Sequence, residues 1–165
     1  MQLSEALLPE FDHEMALTRQ VLVRVPEPAF GWRPHESSFT MQALACHLAR
    51  VPHWGTSILR RDSHDLAAAS TPREPPGSLA GILELFDRHV AEVRRVLVET
   101  TDGELLAPWA LTRGRETLMS MPRLAAIRRF LLYHVVHHRG QLTVYLRLQN
   151  VPLPPIYGPS ADETW

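Results

Sequence analysis

The chain has 165 residues, 17 basic against 18 acidic, and a formal net charge of −1. That length fits one domain with a real core, and the balanced charge, with no basic excess and no charge block, argues against a nucleic-acid partner or a polyelectrolyte tail. The single cysteine, Cys46, excludes an internal disulfide and any cysteine-rich zinc site. The first residues, Met-Gln-Leu-Ser-Glu, lack the charged start and apolar run of a signal peptide. No apolar run approaches the roughly 18 residues that span a bilayer, so the expected location is the cytoplasm.

Ser4 is the expected N-cap of a first helix running from residue 4 to about 25, with Leu7, Phe11, Leu17, Val21 and Leu22 facing the core. Pro26 and Pro28 end it. Residues 29–38 form a connection containing Gly31, Trp32 and Pro34. A second helical pattern follows Ser37 and Ser38 and carries Met41, Leu44, His47, Leu48, Val51 and Ile58, so that His47 interrupts an apolar stripe. Pro52 lies inside that pattern and should bend it, because proline has no N–H to offer the Leu48 carbonyl.

Residues 62–77 read as a long, mostly polar linker with Pro72, Pro75, Pro76 and Gly77. Ser78 then caps a third helix whose face is Leu79, Ile82, Leu83, Phe86, Val90, Val93 and Leu97. Residues 100–121 are the least regular, and Trp109 to Leu118 fits either a small hairpin or an extended excursion. Ser120 and Pro122 start a fourth helix reaching about Asn150. The tail, Val151 to Trp165, is too proline-rich to be helical, and its apolar residues predict that it packs on the domain. Four long helical patterns without a run of alternating strands argue for an all-α four-helix bundle with long crossover loops.

The fourth helix holds the chemistry. Its apolar seam runs Leu124, Ile127, Leu131, then Leu142 and Tyr145 or Leu146, and His134 and His138 take the two seats between. A four-residue offset returns two side chains to within roughly 40° of each other, one turn apart, and an i, i+4 histidine pair suits one metal ion. Buried imidazoles without partners would be costly, so something must satisfy them. The further ligand is to be sought among His47, His89, His137, Glu14, Glu84 and Asp12, with His47 best placed because it interrupts the apolar face of another helix. Three neutral imidazoles with an open fourth position match a catalytic zinc arrangement, and nickel or ferrous iron suits the same donors.

Duller readings stand beside these. A histidine on an apolar face is commonly a core residue bonded to a carbonyl, and His89 is the case to which this applies most. His13, His35, His53 and His64 fall at polar or loop positions and read as surface. Cys46 points about 100° away from His47 around the helix and reads as a small buried hydrophobe. Arg139 and Arg147 read as ion-paired or solvated. No general base stands out.

The run His134-Val-Val-His-His-Arg-Gly-Gln-Leu-Thr-Val-Tyr-Leu-Arg147, followed by Val151-Pro-Leu-Pro-Pro-Ile-Tyr-Gly-Pro-Ser-Ala-Asp-Glu163, closely resembles the DinB family, and Ala45-Cys-His-Leu-Ala49 follows it more loosely. The resemblance implies a four-helix bundle with one metal held by three histidines, which map onto His47, His134 and His138. It also implies a homodimer with a small-molecule substrate. The wider superfamily includes bacillithiol and mycothiol transferases and a thiol-dependent maleylpyruvate isomerase. The expected cofactors are therefore one divalent ion (zinc, nickel or iron) and a low-molecular-weight thiol, and the expected reaction is S-transfer or a related metal-activated one. The alternatives are a metal-dependent hydrolase and a non-catalytic stress-response module that the metal only braces.

Overall fold

Each long apolar stripe becomes helix, and the computed structural model describes residues 2–68 and 74–164. Helix α1 (Leu3–Leu22) buries Leu7, Phe11, Met15, Leu17, Val21 and Leu22. Gln2, not Ser4, is its N-cap, in a capping box with Glu5 that satisfies two orphan amides reciprocally. Ser4 sits inside the first turn and is buried. Helix α2 (Met41–Arg50) is capped by Thr40, whose hydroxyl accepts from the Ala43 amide at 3.2 Å, two residues later than the serines expected to do it. Pro52 opens a separate helix, α3 (Pro52–Arg60), with only Val51 between the two. A proline is welcome at a first helical position, where its missing N–H costs nothing.

The region expected to be linker begins as a short strand, β1 (Ser63–Asp65). The prolines of this stretch include Pro72, which lies outside the described residues. Ser78 caps α4 (Leu79–Glu99) as expected, accepting from the Gly81 amide. A short α5 (Asp102–Leu106) leads into a hairpin of β2 (Pro108–Arg113) and β3 (Glu116–Pro122), and Gly114 supplies the positive φ of 59° at its turn. β1 joins the far side of β2 in parallel. The molecule is thus helix-dominated with a small three-stranded sheet, which corrects the expectation of helices alone. Ser120 and Pro122, assigned from sequence to the fourth helix, belong to β3.

That helix begins at Arg123 and comes in three parts: α6 (Arg123–Ile127), a π-helical turn (Arg128–Leu132) and α7 (Tyr133–Leu148). Helix α1 packs on α4 and α7, α2 packs on α4 and α7, and α3 lies against α4, α6 and the π turn. The α3 contact is close because of Gly55, where a Cβ would stand 2.9 Å from both Leu131 Cδ2 and Val93 Cγ1. The core between these helices holds Phe11, Met41, Leu44, Leu48, Phe86, Val93, Leu131 and Leu142, each side chain contributing on the order of 1.5–3 kcal/mol by leaving water. After α7 the tail has no regular structure. Leu153 and Ile156 pack against the core, Arg147 and Arg24 hold Asp162 and Glu163, and Tyr157 reaches α1 and α7. None of the described helices is long and apolar enough to cross a membrane.

Candidate metal centre

His47 leaves α2 from the same face as Leu44 and Val51, and α7 lies across it. His134 and His138 are one turn apart on α7 and point back at it. The Nε2 atoms of His47 and His134 are 3.2 Å apart, and those of His134 and His138 are 2.9 Å apart. One ligand atom from each ring lies within 4.8 Å of the others. Four tetrahedral nitrogens around a zinc-sized ion at 2.0–2.1 Å stand about 3.3 Å from one another, and an octahedral arrangement brings neighbours to about 2.9 Å. The donor set therefore fits an ion of that size. It does not fit itself: three neutral imidazoles that turn nitrogens to one point cannot all find a donor there.

The other edges of the rings are fixed. His138 Nδ1 donates to Gln141 Oε1 at 2.7 Å, which leaves the Nε2 lone pair facing inward. His134 lies one turn after Phe130 of the π turn, whose carbonyl favours the protonated ring and so works against burial. All three rings are held neutral. Burial, then the neighbouring His138, His134 and Arg50, lower the His47 pKa to about 4. Burial also lowers His134 and His138, partly offset by the Phe130 carbonyl and by Gln141 respectively. Neutral imidazole is the form that ligates. His138 is buried at 9 % exposure, while His47 and His134 are only half-buried, so water reaches one side of the cluster.

The other candidates lie elsewhere. His137 is exposed beside His138, with ring centres 4.8 Å apart, and turns away from the cluster. Glu14 is taken by Arg139 at 2.7 Å, Asp12 by Arg94 at 2.9 Å, and Glu84 is exposed on α4. His89 follows the dull reading: buried on α4, it donates from Nδ1 to the Ala49 carbonyl at 2.8 Å. His64, read as surface, instead packs on Trp54 with centres 4.3 Å apart, and burial lowers its pKa. Cys46 is buried as expected, and burial raises its thiol pKa.

Two residues of the site escaped the sequence reading. Gln141 stood one turn after His137, and its three-residue offset from His138 was the signal available. Phe39 gave none, because it lies in a loop just ahead of α2; in the structure its ring stacks on His47 at 5.8 Å with 25° between planes.

A model of the DinB family matches residues 1–164. The chain belongs to the DinB family. Two solved structures share its fold: the DinB-like protein YjoA of Bacillus subtilis, with a TM-score of 0.72, 15 % identity, and coverage of 92 % of this chain and 96 % of that one; and a DinB-like protein of Bacillus cereus ATCC 10987, with a TM-score of 0.71, 21 % identity, and coverage of 93 % and 97 %. At such identities the likeness concerns the fold. An uncharacterised protein of Bacillus subtilis strain 168, YrdA, is 50 % identical over 34 residues, which is 21 % of this chain and 20 % of YrdA. Because that match spans only a fifth of YrdA, it bears on a local segment and not on a shared activity.

Proposed function

We propose that His47, His134 and His138 hold one divalent cation, zinc or nickel ahead of iron, and that the protein uses it in a thiol-dependent S-transfer or a related metal-activated reaction. The observation that carries this reading is the convergence of one ring nitrogen from each of three histidines within 4.8 Å, each on a neutral ring. The ion supplies Lewis acidity, which lowers the pKa of a thiol or water that reaches its open side. The chain's own residues do the rest. Gln141 sets the tautomer of His138 and aims its ring, and burial keeps protons off all three rings. The partial exposure of His47 and His134 keeps one side of the cluster in reach of solvent. The same reading takes the chain as a cytoplasmic homodimer built on a four-helix bundle, with α2 and α3 counted as one bent helix.

A second reading, in which the ion only braces the helices, has one observation in its favour. The surface depression lined by Arg61, Asp62, Ser63, His64, Asp65 and Ala68 shares no residue with the histidine cluster.

His134→Ala or His138→Ala should remove most of the metal from purified protein, and elemental analysis finding wild-type occupancy would overturn the site. Low-molecular-weight thiols should change the visible spectrum of cobalt-loaded protein. A spectrum indifferent to all of them would leave the bracing role in place of thiol transfer.

A further inference from the structure

Phe39 has 50 % of its surface exposed, and what sets it apart from the other exposed apolar side chains of the described residues is its place beside the histidine cluster. It is not loose. The Phe39 carbonyl accepts from the Tyr145 hydroxyl at 3.2 Å, and Tyr145 is itself packed edge-on by Trp32, centre to centre 5.6 Å. On the chain's other side, the Met41 amide bonds the Trp32 carbonyl at 2.8 Å and the Gln42 amide bonds the Phe30 carbonyl at 3.1 Å. The backbone on both sides of the ring is thereby fixed, the ring stacks on His47, and its centre is 6.4 Å from that of His138. It touches two of the three rings, on a cluster that water reaches, and keeps half of its surface free.

We infer that Phe39 is a specificity-determining residue: a fixed aromatic shelf beside the histidine cluster, selecting ligands that carry a planar apolar group next to the atom that reaches the ion. The inference rests on the metal reading above, though not on the identity of the reaction. Nothing charged is needed for it. Its chemistry is the offset stacking of one ring on another, which adds to simple area burial.

The probes are benzohydroxamate and acetohydroxamate, which share a metal-binding group and differ by a phenyl ring against a methyl. Their affinities are read from the visible bands of the cobalt-loaded protein, in wild type, Phe39→Ala, Phe39→Leu and Phe39→Trp, after elemental analysis of each. Using the ratio of the two affinities removes any change in the ion's own strength. The ratio should fall about five-fold in Phe39→Ala, the scale of one aromatic stack, fall partly in Phe39→Leu, and survive in Phe39→Trp, with metal content unchanged throughout. Metal present and a ratio equal in wild type and Phe39→Ala overturns the shelf while leaving the metal site intact. Absence of metal from the wild type overturns both.

Discussion

Arg139 is among the largest fully buried side chains, at 2 % exposure, and it meets Glu14, at 12 %, at 2.7 Å. Its guanidinium also donates to the Glu14 carbonyl, the Thr18 hydroxyl and the Tyr157 hydroxyl, and Tyr157 donates in turn to the Glu14 carboxylate. One network thus ties α1, α7 and the tail. Arg139→Met leaves a buried carboxylate with Tyr157 as its remaining side-chain donor, and Glu14→Leu leaves a buried guanidinium facing only neutral acceptors. Each should cost about 3–4 kcal/mol, since breaking a buried pair exposes the survivor to the full desolvation penalty. Removing both charges together abolishes that penalty. Thr18 keeps its bond to the Glu14 carbonyl, and Tyr157, 59 % exposed, turns to water. The double variant should therefore lie within about 1 kcal/mol of wild type, several kcal/mol more stable than the sum of the singles. Urea unfolding at one fixed protein concentration, fitted with a common slope, measures all four corners of the cycle. Single variants costing under about 1 kcal/mol, as a surface pair would, or a double variant equal to their sum, would refute the account.

Gln141→Leu removes the acceptor that orients His138, and metal affinity measured against a chromophoric chelator should drop roughly 10- to 100-fold; an unchanged affinity would deny Gln141 that task. In metal-free protein the His47 pKa lies near 4 against 6.5 when unfolded, so the unfolded chain takes up the proton first. Its contribution is present above pH 6.5 and is lost as pH falls toward 4. Set against His47→Gln, the loss should be roughly 1–2 kcal/mol, discounted for a half-buried ring; parallel pH profiles for the two proteins would count against it. Gly55→Val forces a branched side chain into contacts that are already 2.9 Å from a bare Cβ. Val93 and Leu131 are buried, so relaxation is limited, and thermal unfolding should register a loss of about 1–3 kcal/mol. A melting temperature equal to wild type would mean that α3 shifts freely.

Helices with long one-sided apolar stripes were legible because their periodicity is itself the consequence of burial. Leu7, Phe11, Val21 and Leu22 on α1, or Ile82, Phe86 and Val93 on α4, could be placed without the structure. Terminal details were less so, since Thr40 and Gln2 cap helices that Ser38 and Ser4, the better caps by residue type, were expected to cap. The sheet was hidden for a different reason. β1 is three residues long and alternates nothing, and its pairing with Ala110, Leu111 and Thr112 depends on contacts some 47 positions away. Asp65 helps fix that corner by accepting from the Gly114 amide, a contact no local pattern announces. The histidines were legible because imidazole at core-facing positions of two helices conflicts with the apolar pattern around it, and local rules tend to break where function is.

The apolar seam of the last helix is buried as expected, but the two histidine seats within it lie off its centre, for a physical reason that bears on the site. Counted in uniform α-helix from Ile127, His134 and His138 fall within roughly 20° on either side of the same line, which is why they looked like the two central seats. The most deeply buried seats are Val135, Arg139, Leu142 and Leu146, with His138 and Tyr145 on the margin at 9 % and His134 only partly buried. Val135 and Arg139 each lie one residue after a histidine seat, whereas Leu142 and Leu146 keep the places the apolar seam gives them. The π turn at Arg128–Leu132 accounts for the offset, because such a turn accommodates one extra residue and rotates the downstream helix by about 100°. The rotation turns Val135 and Arg139 into the core and carries the histidine pair toward its edge. There His134 can still meet His47, and one flank of the cluster stays in reach of water. A regular helix would have put both imidazoles in the dry middle of the seam. The π turn thus leaves the histidine cluster accessible from one side instead of sealing it in the core.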